Sequence, residues 1–302
     1  MIHIPVLKKE VIKHLDPKPN QNFVDCTVGT GGHALAILAL TEPNGKLLGI
    51  DWDKKMIDGL RFRAQEMKME KMEKRLILVH DSFAKLQEIT EKNNFQDISG
   101  ILLDLGMSSW HIEQSGRGFS FQKEEELDMR YNPDSGESGL TAQVIVNQYS
   151  LEEIEKILRE YGEEGFAKRI AQAIVEKRKY NPIKTTVHLI NIIKGAVPGW
   201  YQRKRIHYAT KTFQALRIAV NNELDNVQTV LPQTVNVLKS KGKILVISFH
   251  SLEDRIIKNF FKEQKKKGSL EIVNKKVIKP SPEEIKVNPR ARSAKLRVAI
   301  KY

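Results

Sequence analysis

Val24-Asp25-Cys26-Thr27-Val28-Gly29-Thr30-Gly31-Gly32-His33 closes an apolar run at residues 22–28 and opens a helical pattern at residues 32–40. Glycines at a strand-to-helix turn tolerate positive φ and let backbone approach a ligand closely. The spacing is not the six-residue dinucleotide fingerprint, and no Lys followed by Ser or Thr completes a phosphate loop. A pyrophosphate ligand is therefore disfavoured. Outward from this turn, apolar runs at 46–51, 76–82 and 100–105 do not alternate and read as strands covered on both faces. Helical patterns at 54–71 and 84–93 separate them. This rhythm predicts an α/β fold: a mostly parallel sheet, right-handed crossovers, helices on both faces.

A ligand of such a sheet binds beyond the carboxyl ends of its strands. Gly29, Gly31 and Gly32 lie at the first end. Asp51 lies at the second, 19 positions after Gly32, where a carboxylate can accept both ribose hydroxyls of an adenosine. His80-Asp81-Ser82-Phe83 follows the third, with a ring to flank adenine, and Asp104 closes the fourth. Singly, each serves equally well as a tight turn or a helix cap. Four in register predict one adenosine-shaped pocket.

After Leu105 the rhythm stops. Ser150-Leu151-Glu152-Glu153 is a capping box, with Ile154, Ile157, Leu158 and Tyr161 on one apolar helix face. Helices follow near 164–179 and 186–194, each ending before Gly/Pro punctuation. Alternation resumes with helices near 210–220 and 224–239, a strand at 243–249, a helix at 252–267, and tail strands near 270–279 and 295–301. The simplest organisation is an α/β domain of residues 1–106 and 206–302, interrupted at 107–205 by a helical insertion, the candidate for substrate recognition if the protein acts on a macromolecule. Met56, Met67, Met69 and Met72 read as packing.

No apolar stretch approaches the roughly 20 residues that span a bilayer, so no membrane association is expected. Met1-Ile2-His3-Ile4-Pro5 carries no secretory pattern. Cys26 alone excludes an internal disulfide and a multi-cysteine zinc site; no metal and a cytoplasmic location are expected. The net charge of +13 is segregated. Residues 168–211 hold 11 basic side chains against one acidic, and residues 262–302 hold 13 against four. Residues 113–164 hold 13 acidic against five basic. Solvated helix faces would not require this sorting; a surface that follows a phosphate backbone would.

Several motifs resemble one family. Asp25-Cys26-Thr27 through Gly31-Gly32-His33, Leu103-Asp104-Leu105-Gly106-Met107-Ser108-Ser109 and Arg117-Gly118-Phe119-Ser120-Phe121 carry the first part of the resemblance. Arg205-Ile206-His207, Thr212-Phe213-Gln214-Ala215-Leu216-Arg217-Ile218, Ser248-Phe249-His250-Ser251-Leu252-Glu253-Asp254-Arg255 and Asn288-Pro289-Arg290-Ala291-Arg292-Ser293-Ala294-Lys295-Leu296-Arg297 carry the rest. The family is the bacterial small-subunit ribosomal RNA cytosine-N4 methyltransferases, the MraW or RsmH family, and the resemblance runs from His3 nearly to the C-terminus. It implies a Rossmann-like class I methyltransferase fold with an inserted helical domain. It also implies S-adenosylmethionine as cofactor and methylation of one cytidine N4 amine in the decoding region of 16S rRNA, either free or within the small ribosomal subunit. Cofactor contacts carried over are Gly31, Gly32, His33, Asp51, Phe83, Asp104 and His111. Two departures stand out: Trp110-His111 replaces the usual Pro-Gln, and Tyr208 replaces the proline after Arg205-Ile206-His207. The sequence leaves monomer and homodimer open.

For such a reaction Asp104, with Ser108 and Ser109 nearby, is the candidate acceptor that localises the amine lone pair; contact with the cofactor alone is equally compatible. Lys177, Arg178, Lys179, Arg203, Lys204, Arg205, Arg290, Arg292, Lys295 and Arg297 are the candidate RNA contacts. Trp110, Trp200 and Tyr201 are candidate stacking rings or core rings. Rival readings fare worse. Gly106-Met107-Ser108-Ser109-Trp110 lacks the closing glycine of a hydrolase elbow. A non-catalytic RNA-binding protein leaves the glycine turn, Asp51 and Asp104 without a task. An adenine-amine or DNA methyltransferase usually carries Asp/Asn-Pro-Pro-aromatic where this chain has Asp104-Leu105-Gly106-Met107.

Overall fold

The computed structural model describes residues 5–66, 72, 74–134 and 139–302. The opening residues 1–4, Met67 and Met69, and the end of the 54–71 helical pattern lie outside them. The chain divides into two compact units: Met1–Gly106 with Leu224–Tyr302, and Met107–Glu223. The return to the first unit thus comes later than residue 206. Helix Thr210–Asn221 belongs to the second unit because its buried Phe213, Ala215, Leu216 and Val220 join the core of Ile154, Leu158 and Ile170.

The first unit holds seven strands: β1 Asn22–Asp25, β2 Leu47–Asp51, β3 Leu76–His80, β4 Ile98–Asp104, β5 Leu238–Ser248, β6 Leu270–Ile272 and β7 Lys295–Lys301. They form one sheet in the order β3-β2-β1-β4-β5-β7-β6. Neighbours from β3 through β5 are parallel, and β7 runs antiparallel to β5 and β6. This is the expected Rossmann-like class I architecture. Alternate residues serve separate cores: Val24, Leu48, Ile101 and Val246 pack with helices Leu86–Lys92 and Ser251–Lys266. Phe23, Leu47, Leu102 and Leu245 pack with helices Gly32–Leu40 and Lys54–Glu66. Two buried faces explain why the strands read as continuous apolar runs. Strand order reverses at β1, which has β2 on one side and β4 on the other, so the ligand crevice of an open α/β sheet is due beyond their carboxyl ends.

The tail strand expected at 270–279 is shorter, because β6 stops at Ile272. The Asn274 side chain takes over a ladder position, accepting from the Val298 N–H at 2.9 Å, and Ile278 returns only as an isolated bridge to Leu296. In the second unit Ser150 caps helix Leu151–Glu160 as expected, accepting from Glu153 N–H at 3.2 Å while the Glu153 carboxylate accepts from Ser150 N–H at 2.8 Å. Helix Gly199–Gln202 spans four residues, too few for a periodic pattern. No helix among the described residues is long and apolar enough to cross a membrane.

Candidate functional site

The loop after β1 is pinned from both neighbouring strands. Cys26 N–H donates to Leu102 O at 2.9 Å and Val28 N–H to Ile50 O at 2.8 Å. Gly29 and Gly31 adopt φ of +50° and +82°, a region that favours glycine. A Cβ on Gly31 would lie 2.5 Å from Leu60 Cδ1, so the second glycine also answers to close packing.

Asp51 meets this loop at the end of β2. One carboxylate oxygen accepts from Gly29 N–H at 2.8 Å and the other from Asp53 N–H at 2.9 Å. Charge-assisted bonds of this kind fix the loop and orient the carboxylate. At the end of β4, Asp104 N–H donates to Thr27 Oγ1 at 2.7 Å and its carboxylate accepts from Gly106 N–H at 3.3 Å. The Gly106 Cα faces the Phe249 ring, 2.6 Å from where a Cβ would stand. Phe83 follows β3 as a half-buried ring in a short turn capped by Ser82. Gly29, Gly31, Gly32, His33, Asp51, Phe83 and Asp104 therefore stand in the first unit at successive strand ends.

Three further groups emerge that spacing did not single out. Asp25 is buried at the end of β1, accepts from Thr27 N–H at 3.1 Å, and feels Asp104 and Asp51 electrostatically. Burial pushes its carboxyl up to about 6; His33 and the Thr27 N–H oppose the rise, and Asp104 and Asp51 add to it. Thr27 bridges the glycine loop to Asp104. Thr30 Oγ1 is buried with no hydrogen-bond partner among the described residues, as are both ring nitrogens of His33, although His33 Nε2 lies 3.7 Å from an Asp104 oxygen. Buried polar atoms are normally satisfied, so these orphans fit a loop built to receive a polar ligand. Three neighbouring carboxylates repel a pyrophosphate and suit a cation. Cys26 is buried, and burial raises its thiol well above the usual range, which makes it a packing residue.

The remaining candidates occupy other places. His111, Ser108 and Ser109 lie in the second unit. Ser108 caps the helix Ser109–Glu113, and its hydroxyl is 2.8 Å from His111 Nδ1. His111 is buried among Phe119, Tyr131 and Trp110, with the Arg117 guanidinium over Trp110 at 5.2 Å. Tyr208, which stands in place of the family's proline, stacks on His207 at 4.2 Å, and His207 stacks on Phe121 at 4.6 Å. Among the basic candidates, Lys177, Lys179, Arg203, Lys204, Arg205, Arg290 and Arg292 are exposed. Arg178 instead donates to the Val146 and Tyr149 carbonyls, and Arg297 pairs with Asp254 through two bonds of 2.7 and 3.2 Å, with Lys295 3.5 Å from the same carboxylate. Those three have structural work that a run of basic letters cannot reveal.

Comparison with known proteins agrees with this geometry. The model of the MraW methylase family matches residues 1–302. A Heliobacterium mobile protein named Ribosomal RNA small subunit methyltransferase H is 44% identical over 315 residues, covering 99% of this chain and 98% of its own. A protein of the same name from Dictyoglomus thermophilum is 47% identical over 298 residues, covering 98% and 96%. With a family match over residues 1–302 and relatives 44 and 47% identical that it covers almost end to end, the chain belongs to the MraW methylase family.

Proposed function

We propose that this protein transfers the methyl group of S-adenosylmethionine to the exocyclic N4 amine of one cytidine in the decoding region of 16S rRNA. The observation that carries the reading is the convergence of the glycine loop, orphaned His33 and the carboxylates of Asp25, Asp51 and Asp104 at the carboxyl ends of β1, β2 and β4. The names of its close relatives support ribosomal RNA as substrate.

When bound, the cofactor supplies a methyl group already activated as an electrophile. Asp51 accepts from the ribose hydroxyls, Phe83 flanks the adenine, and the Gly31-Gly32 backbone allows close approach of the chain. The cytosine amine is a weak nucleophile because its lone pair is delocalised into the ring. Asp104, held by the Gly106 N–H, and the adjacent Leu105-Gly106 backbone supply acceptors that localise that lone pair. Alignment contributes about 7–11 kcal/mol, more than the ~10²–10⁴-fold of a general base, so positioning dominates. The amine proton leaves after transfer, when it is strongly acidic, and water suffices as its acceptor.

A paired or stacked cytosine is inaccessible, so the base is splayed out at a cost of a few kcal/mol while phosphates are held elsewhere. Exposed Lys177, Lys179, Arg203, Lys204, Arg205, Arg290 and Arg292 supply those contacts. Mass spectrometry of rRNA fragments after incubation with protein and cofactor tests the assignment: one added methyl on a decoding-region cytidine is expected, and methyl on adenine or none at all overturns it. In the same assay Asp104→Asn at saturating cofactor is expected to lose turnover by about 10²-fold or more, the scale of a lost transition-state contact. Wild-type turnover would leave Asp104 with cofactor contact alone.

A further inference from the structure

Of the three candidate stacking rings, the structure separates Trp200 from the others. Trp110 lies against His111 and beneath Arg117, and Tyr201 is turned inward, but the Trp200 side chain is 55% exposed. A single exposed apolar ring is ordinary on a protein surface. The apparatus that holds this one is not. Its neighbour Tyr201 places its hydroxyl 2.8 and 3.0 Å from the two carboxylate oxygens of Glu164, which is only 3% exposed and also accepts from Phe166 N–H at 2.9 Å. Gln202 fastens the other end of helix Gly199–Gln202 by donating to the Lys194 and Val197 carbonyls at 2.9 and 3.1 Å. Burying a carboxylate is costly unless it is fully bonded, and here the bonds are spent on fixing a four-residue helix at the surface.

The result is a rigid corner of rings. Trp200 stands edge-on to Tyr201 at 5.8 Å and 87°, and to Phe166 at 5.8 Å and 61°. Lys204 Nζ lies 4.9 Å above the Trp200 ring and 5.1 Å above Tyr201, and Arg169 lies over Phe166. Exposed Lys168, Arg203 and Arg205 follow in the same strongly basic stretch. A half-exposed ring beside several cations matches the two halves of a single-stranded nucleotide, base and phosphate. Along a duplex the base faces are covered by stacking and only the two ends present one to a ring.

We propose that Trp200 is a stacking platform for an unpaired base of the RNA substrate, with Lys204 as its phosphate contact and the Glu164–Tyr201 pair as its positioning element. This rests on the reading of the protein as an RNA methylase, and it adds where a non-target base is gripped.

The test compares binding of an unstructured oligocytidylate and a blunt RNA duplex of equal length, together with methyl-transfer kinetics on rRNA. Trp200→Ala is expected to weaken oligocytidylate binding by about fivefold or more, the low end of one base–aromatic stack. Duplex binding and the salt slope should be unchanged, since the ring carries no charge. It should raise KM for rRNA and leave kcat and cofactor affinity alone, and Trp200→Phe should restore most of the loss. Tyr201→Phe is expected to raise KM in the same direction with kcat held. Wild-type binding and KM in a folded Trp200→Ala protein would overturn the platform and leave the methylase reading standing. An equal loss on duplex and single strand would overturn it in favour of general packing. Absence of methyl transfer by the wild-type protein would sink the underlying reading instead, with oligocytidylate binding still deciding the platform.

Discussion

Asp51 and Asp25 are neighbours in charge but opposite in design. Asp51 holds Gly29 and Asp53 N–H groups through separate oxygens. A carboxylate accepts about four hydrogen bonds, and in the proposed complex ribose hydroxyls take places beside those two donors. Asp51→Ala is expected to weaken S-adenosylmethionine binding by roughly 1.5–3 kcal/mol, as for lost hydrogen bonds to a charged group. Calorimetry checks it, and an unchanged affinity would remove Asp51 from the site. Asp25 has no room for solvent, and burial lifts its carboxyl from the ordinary 3.8 to about 6. Between those values the folded protein keeps a proton that the unfolded chain has released, so stability falls as pH rises from about 4 to about 6 and stays reduced above. The loss attributable to this residue is on the order of 3 kcal/mol. Asn at this position keeps an oxygen for the Thr27 N–H and cannot ionise. The stability of Asp25→Asn relative to wild type, from urea melts at several pH values, should therefore climb by that amount across the window. A flat difference curve would mean that Asp25 titrates like a solvent-exposed carboxyl.

At the scale of the element, the turn between β1 and helix Gly32–Leu40 was the most legible part of the chain, because positive φ and close approach both select glycine. Gly31→Ala would place a methyl at φ +82° and 2.5 Å from Leu60 Cδ1. Overpacking typically costs 1–3 kcal/mol, with backbone strain adding to it. A stability loss of about 2 kcal/mol or more is expected in urea melts, together with weakened cofactor binding; a fully stable variant would show that Leu60 yields without cost. The strands from β1 to β5 could be read because both their faces are buried, which leaves unbroken runs of Val, Ile and Leu. Elements held by side-chain bonds could not. The β6 region looked extended as far as 279, but Asn274 replaces the ladder after Ile272. Helix Gly199–Gln202 is too short for periodicity to register and depends on Glu164, 37 positions away from Tyr201. Helix Thr210–Asn221 has an amphipathic pattern that suits either unit, and only its packing with Ile154 and Ile170 decides. Within the site, the glycines, Asp51 and Asp104 could be placed from their position at strand ends. Asp25, Thr27 and Thr30 could not, because their roles are a buried charge, a cross-strand bond and an unmet hydroxyl, none of which leaves a spacing.

Across the whole molecule, charge is sorted more finely than the division into units. The second unit is nearly neutral because the acidic stretch 113–164 and the basic stretch 168–211 almost cancel. Net charge alone would therefore assign RNA affinity to the wrong scale; what counts is the number of cations that can each displace a counterion from a phosphate. Arg203, Lys204 and Arg205 are consecutive and exposed, whereas Arg178 and Arg297 spend their donors inside the fold. Each phosphate neutralised on a single strand steepens the plot of log affinity against log salt by about 0.7. Replacing Arg203, Lys204 and Arg205 together by alanine is expected to flatten that slope by about 2, with the largest affinity loss at low salt and convergence with wild type as salt rises. Replacing Arg178 should leave the slope nearly as it was and lower thermal stability, since two carbonyls lose their donor. Titrations of labelled rRNA fragments over a salt series separate the two. A slope indifferent to the triple change would place the phosphate track on the other exposed cations, Arg290 and Arg292 first among them.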